Sequence, residues 1–191
     1  MSRSSQNKDS CEPISILIVD DHEIIRQAIK LVLQKEDDMR VVFEARDGEE
    51  AVAAYEHAKP DITLMDVRMP TMNGIEATNL ITNKYEGSKI IMLTSDDTTD
   101  TVVAALASGA KGYCLKNVSA QHLADGVRLV YGGDIWLCSG SLKVYAKELK
   151  KIHSPKAKSH LNDTIEERIP NTAAPKAFIS YSQKLSRKAK Y

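Results

Sequence analysis

Four short apolar runs of this chain each end at a group able to handle phosphoryl chemistry. Run 16–19 leads into Asp20 and Asp21, run 62–65 into Asp66, run 90–93 into Thr94 and Ser95, and run 112–115 into Lys116. A fifth run, 41–43, ends without a reactive group. If these runs are parallel strands of an open α/β sheet, their carboxyl ends share one rim, which is where such sheets bind ligands. Three carboxylates, a hydroxyl and an ammonium would then converge on one patch. A carboxylate can attack an activated phosphoryl group and become an acyl phosphate, provided the repulsion between two anions is offset. Mg²⁺ takes oxygen ligands and keeps several waters. Asp20 and Asp21 beside Asp66 suit it, one by direct contact and one through water. Lys116 would hold a phosphoryl oxygen by its fixed charge, and Thr94 would donate a hydroxyl hydrogen bond to it.

Taken singly, each residue has a plainer reading. An Asp-Asp pair is commonly the solvated start of a helix, Asp66 a loop-start cap, Thr94 a turn residue and Lys116 a solvent-facing charge. Their joint placement, each directly after an apolar run and in this order, is what favours a site.

The elements that would position them alternate along the chain. Strands are expected at about 14–19, 40–44, 61–65, 89–93 and 111–115. Helices are expected at about 22–35, from Asp47 to before Pro60, at 74–84, from Thr98 or Thr99 to Gly109, and from Ser119 to Gly132-Gly133. Asp47 with Glu50 three residues on is an N-cap with an acidic partner, and Gly109 is a C-cap. The runs are apolar on both faces, as strands covered by helices on both sides should be. Strands with interposed helices imply βαβ units. The expected fold class is therefore α/β, a (βα)₅ doubly wound parallel five-stranded sheet.

The motifs Ile18-Val19-Asp20-Asp21-His22, Met65-Asp66-Val67-Arg68-Met69-Pro70-Thr71-Met72-Asn73-Gly74, Leu93-Thr94-Ser95 and Lys111-Gly112-Tyr113-Cys114-Leu115-Lys116 resemble receiver domains of two-component response regulators. The resemblance covers about 14–132, and it implies a flavodoxin-like (receiver) fold. Carried over by position, Asp66 matches the phosphoacceptor, Asp20 and Asp21 the acidic Mg²⁺ pair, and the main-chain carbonyl of Arg68 a further Mg²⁺ ligand. Thr94 matches the switch hydroxyl, Tyr113 the switch aromatic and Lys116 the phosphoryl-contacting lysine. Asn117 stands where many receivers have proline, so the cis-proline of the family need not be kept.

The resemblance further implies a sensor histidine kinase as phosphodonor and a self-phosphorylating, self-dephosphorylating switch rather than a turnover enzyme. A phosphoryl group on Asp66 is expected to draw Thr94 toward it and let Tyr113 turn inward. That would alter the face of the fourth helix, fifth strand and fifth helix for a homodimer or another partner.

Segments 116–119 and 132–137 are similar to the NarL/FixJ (LuxR-type) branch, whose members usually continue into a helix-turn-helix. No such segment is recognisable after residue 152. The expected organisation is a disordered segment 1–12, a receiver 13–133, a linker 134–152 with an amphipathic helix from Ser141, and a basic tail 153–191. Zero net charge conceals a polarity: residues 1–140 carry 14 Lys and Arg against 22 Asp and Glu, and residues 141–191 the remaining 12 against 4. Such a tail could attract DNA phosphates without specificity. A DNA-binding regulator with a truncated or replaced output domain is the alternative function.

Other classes fit less well. A haloacid-dehalogenase-type phosphatase wants Asp-x-Asp after its first strand, whereas Asp20 and Asp21 are adjacent. A nucleotide-binding module wants a Gly-rich loop there, whereas the chain has Asp-Asp-His-Glu. No apolar stretch approaches the roughly 18–20 residues of a membrane span, and residues 1–13 lack the apolar core of a signal peptide. Three widely spaced cysteines without a CxxC pattern point to a reduced cytoplasmic compartment, with Cys114 a small core residue.

Overall fold

A computed structural model of the protein describes residues 12–95 and 98–138. In chain order the elements are β1 (Ile14–Val19), α1 (Glu23–Leu33), β2 (Met39–Ala45), α2 (Gly48–Ala58), β3 (Ile62–Asp66), α3 (Gly74–Lys84), β4 (Ile90–Thr94), α4 (Thr99–Ala107), β5 (Gly112–Leu115), α5 (Ala120–Tyr131) and β6 (Trp136–Leu137). The strands lie in the order β2-β1-β3-β4-β5-β6, and every neighbouring pair is parallel.

Period-two alternation sorts each strand's side chains into two cores. Ile16, Ile18, Ile62, Leu64, Ile91, Leu93 and Cys114 face Leu33 of α1 and Leu123, Val127 and Val130 of α5. Leu17, Val19, Met65, Ile90, Met92 and Tyr113 face α2, α3 and α4 through Ala51, Tyr55, Ala77, Ile81, Val102 and Ala105. Each large aliphatic side chain so buried contributes about 1.5–3 kcal/mol relative to exposure. That is why the continuous runs become central strands, as their two-sided apolarity predicts.

The expected helix ends hold where a specific hydrogen bond makes them. The Asp47 side chain accepts from Glu50 N–H at 2.8 Å, and Asn73 and Glu76 form a reciprocal capping box at the start of α3. The Ser119 hydroxyl caps α5 by accepting from His122 N–H.

The sheet differs from expectation in having a sixth strand. Residues 136–137, assigned from sequence to a linker, pair with β5 through Gly112 and Tyr113. Two residues are too few to show a strand period; tertiary contact makes this one. The Trp136 ring packs against α5 at Gly126, where a β-carbon would lie 2.4 Å from the indole. A side chain there would displace the ring.

This pairing also corrects the reading of the cysteines. Cys114 is buried as expected, but its sulfur is bonded to that of Cys138, with the Cα atoms 5.2 Å apart. Spacing in the chain could not reveal the pair, because it exists only once β6 lies beside β5. Among the described residues no helix is long and apolar enough to cross a membrane. The expected helix 141–152 and the tail lie outside the described residues.

Candidate functional site

Parallel pairing puts the ends of β1, β3, β4 and β5 on one rim. The sheet order also places β1 between β2 and β3, so the connections that leave β1 and β3 run to opposite sides and open a crevice between their tips. Asp20 follows the last residue of β1, Asp66 ends β3, Thr94 ends β4, and Lys116 follows β5. Asp66 stands opposite Leu93 in register, and Thr94 opposite Leu115. The Lys116 N–H donates to the Thr94 carbonyl at 2.8 Å, which ties the last two tips together.

The side chains converge as their order implied. Lys116 Nζ lies 2.6 Å from Asp20 Oδ2 and 2.8 Å from Asp66 Oδ2. Asp20 and Asp66 are 1% and 4% exposed, so this is a buried cluster of two carboxylates on one ammonium. The other Asp66 oxygen accepts the Val67 N–H at 2.8 Å, and the other Asp20 oxygen accepts the His22 N–H at 2.9 Å. Arg26 of α1 donates to the Asp20 carbonyl at 2.7 Å, holding the strand tip from behind.

Burial pushes the Asp66 carboxyl above the usual aspartate range. The Asp20 charge adds to the rise, and Lys116 with the Val67 N–H only partly opposes it. For Lys116, burial alone would lower the pKa. Hydrogen bonds to Asp20 and Asp66, with their charges, outweigh burial and hold the ammonium above its ordinary value. Lys116 is thus charged, and the carboxylates exceed the positive charge available to them.

That imbalance, with oxygen-only donors at the tips, suits a hard divalent cation. Ligand atoms of Asp20, Asp21 and His22 lie within 4.8 Å of one another. Of these, the two carboxylates belong to the donor class Mg²⁺ prefers; His22 Nδ1 instead lies 2.8 Å from Asp21 Oδ1. Asp21 and Arg68 line one open cleft with Val67, Met69, Asn73 and Thr101.

The loop from β3 to α3 is held tightly against Asp66. Gly74 N–H donates to the Val67 carbonyl at 3.0 Å, and a β-carbon on Gly74 would sit 1.8 Å from the Asp66 carbonyl oxygen. The Gly48 N–H donates to the Met72 carbonyl at 3.1 Å. Thr71 in this loop has a φ of 66°, a left-handed conformation costing on the order of 1–3 kcal/mol for such a residue. Sequence reasoning named Gly74 within a motif without its reason and missed Arg26 and the Thr71 backbone. Close approach of main chain to main chain has no compositional signal beyond the glycine itself.

Tyr113, the expected switch aromatic, lies on β5. It is fully buried in the core beneath α4, with Leu137 of β6 packed against the same cluster. After Lys116 the backbone turns through a Val118 N–H to Leu115 carbonyl bond at 3.1 Å. Among the described residues no peptide bond is cis, so the cis-proline of the family has no counterpart at Asn117.

Comparison with known proteins agrees with this geometry. The transcriptional regulatory protein LnrK of Bacillus subtilis is 40% identical over 124 residues, which are 65% of this chain and 56% of the relative. The chain thus spans little more than half of that relative's length. A LuxR-family two-component response regulator from Aurantimonas superposes with a TM-score of 0.68 at 28% identity, over 72% of this chain and 98% of the other. The CheX–CheY–BeF₃–Mg²⁺ complex from Borrelia burgdorferi contains a chain with a TM-score of 0.60 at 28% identity, over 65% and 94%. The family model for the response regulator receiver domain matches residues 16–128. Alternating βα units, an acidic rim and a lysine bridging two aspartates therefore have one common explanation: the chain belongs to the response regulator receiver domain family.

Proposed function

We propose that this chain is a phosphorylation-controlled switch in which Asp66 accepts a phosphoryl group from a histidine of a sensor kinase. The observation that carries the reading is Lys116 within 2.8 Å of both Asp66 and Asp20. An ammonium already seated between the nucleophile and its acidic neighbour can pass to a phosphoryl oxygen without leaving the pocket.

An Asp66 carboxylate oxygen forms the new bond to phosphorus as the bond from phosphorus to the donor nitrogen breaks, and the imidazole keeps that electron pair. Lys116 offsets charge on a phosphoryl oxygen, and the Val67 N–H steadies the attacking carboxylate. The Thr94 hydroxyl, at the tip of the adjacent strand, donates to the phosphoryl group. Asp20, Asp21, Asp66 and the Arg68 carbonyl would hold Mg²⁺, which supplies charge neutralisation at the transferring oxygens when bound. The BeF₃ and Mg²⁺ of the Borrelia complex support the choice of ion. Water attacking phosphorus later restores the free carboxylate, so the chain cycles as a switch rather than turning over a substrate. The face of α4, β5 and α5 carries the signal to a second copy or a partner, and the setting is the cytoplasm.

Incubation with acetyl phosphate and Mg²⁺, followed by intact mass spectrometry, tests the assignment. Wild-type protein should gain one phosphoryl group, and Asp66→Asn none; undiminished labelling of the variant would refute it. The name of LnrK and the basic composition of 141–191 favour a second reading, DNA binding as the output. Mobility shifts across salt concentrations test it: a steep salt slope without site preference marks attraction to phosphates alone.

A further inference from the structure

We infer that Cys114 and Cys138 form a thiol–disulfide exchange site, with low-molecular-weight disulfides as its reaction partners, whose oxidised form clamps β6 to β5. Neither the phosphoacceptor chemistry nor its residues are needed for this inference.

The two cysteines are placed unequally. Cys114 is 1% exposed and packs toward α5 with Leu123 and Val127. Cys138 is half-buried at the sheet edge, the last described residue before segment 139–191. An incoming disulfide therefore reaches Cys138 first. The Cys138 thiolate attacks one sulfur of the small disulfide, forming a mixed disulfide and expelling one small thiolate. Cys114 then attacks the Cys138 sulfur, forming the intramolecular bond and expelling the second. Two protein thiols are oxidised, one small disulfide is reduced to two thiols, and the protons go to the released thiolates. The Cα separation of 5.2 Å falls inside the range disulfides occupy, so closure needs no rearrangement of the sheet.

What the bond controls follows from how short β6 is. The strand has two residues. Besides the Trp136 ring against Gly126 and Leu137 against the core, its backbone ties include the Trp136 N–H to the Lys111 carbonyl at 3.0 Å and the Cys138 N–H to the Tyr113 carbonyl at 3.1 Å. The second tie ends on Tyr113 itself, and Cys114 lies between Tyr113 and Lys116 in the chain. Oxidation thus joins β5, which carries Tyr113 and leads directly into Lys116, to the origin of the C-terminal segment. Reduction leaves a two-residue strand held by hydrogen bonds and by the packing of Trp136 and Leu137, at an edge, where strands open most readily. In a reducing compartment protein disulfides are characteristically transient or sensing, which suits exchange better than a permanent staple.

The test equilibrates full-length protein with reduced or oxidised glutathione, quenches exchange with acid, alkylates free thiols in denaturant and maps them by peptide mass spectrometry. Oxidised glutathione should protect Cys114 and Cys138 together, while Cys11 reacts independently. In Cys138→Ser, Cys114 should remain alkylatable. Equal labelling of Cys114 and Cys138 in both buffers, or glutathione retained on Cys138, would overturn the exchange site. Hydrogen exchange on the same wild-type samples reads the clamp: the Trp136 and Cys138 amides should exchange at least tenfold faster after reduction. Equal rates would overturn the clamp even if the bond forms. Neither readout involves a phosphodonor, so failure here is distinguishable from failure of the Asp66 assignment.

Discussion

Two ion clusters in this molecule each gather carboxylates around one cation, and behave oppositely. At the rim, Lys116 sits between Asp20 and Asp66, whose side chains are 2% and 5% exposed. On the far side of α5, Arg128 reaches across to Glu36 and Asp38, with the Arg128 side chain 35% and the Asp38 side chain 49% exposed. Burial raises the Asp66 carboxyl, whereas the hydrogen bond and charge of Arg128 hold Asp38 below the ordinary value of 3.8. Solvent supplies the difference. Exposed carboxylates keep most of their hydration and gain a partner; buried ones lose hydration that one ammonium cannot replace. The rim cluster is thus stored electrostatic strain at a place where a cation or phosphoryl group can relieve it. The Arg128 cluster is a solvated clasp between α5 and the start of β2.

Three measurements would break or sharpen this contrast. Removing the cation should separate the clusters most. Lys116→Ala leaves two buried carboxylates unpaired and should lower stability in metal-free urea unfolding by about 3–5 kcal/mol, with the loss shrinking when Mg²⁺ is added. A loss no larger than that of Arg128→Ala would show that burial is not the deciding variable. Next in size is the ion itself. At ten times its dissociation constant, Mg²⁺ should stabilise wild-type protein by about 1.4 kcal/mol, and the gain should vanish in Asp20→Asn with Asp21→Asn. An equal gain in the double variant would place the cation elsewhere.

The smallest effect is Arg128→Ala, which should cost less than about 1 kcal/mol and fade in high salt, as partly exposed pairs do. Its pH dependence carries a sign. Asp38 has a depressed folded pKa, so its contribution is present above the unfolded value and disappears as pH falls through the folded one. Asp66, with a raised folded pKa, works in reverse: its ionised form costs stability at neutral pH, and the cost falls as acid protonates it. Acid titrations of wild-type and Arg128→Ala stability should therefore converge at low pH; a constant gap would mean that Arg128 acts by packing alone.

Much of the fold and site was legible beforehand because the determining signals are local. Runs apolar on both faces can only be covered strands, and in a parallel sheet all their carboxyl ends share one rim. Asp20, Asp66, Thr94 and Lys116 were therefore positioned by chain order before any contact was known. Asp47, Asn73 and Ser119 fall at helix starts because their side chains bond the first free N–H groups. What stayed hidden depends on contacts between distant residues. The strand at Trp136–Leu137 is too short to have a period. Tyr113 has no pattern saying which way its ring points; α4 and Leu137 bury it. The Gly74 β-carbon position and the left-handed Thr71 reflect two backbones meeting, which composition does not encode.

From residue types and order alone came the βα alternation, the polar rim and the pairing of acidic groups with a lysine, because hydrophobic periodicity and strand direction act within single elements. Tertiary structure alone decided that Lys116 touches both aspartates at once, that Tyr113 is buried in the core, and that Cys114 meets Cys138. Each of these depends on the distance between side chains brought together from separate elements, and burial there changes the energy of a charge or thiol that local sequence leaves unassigned.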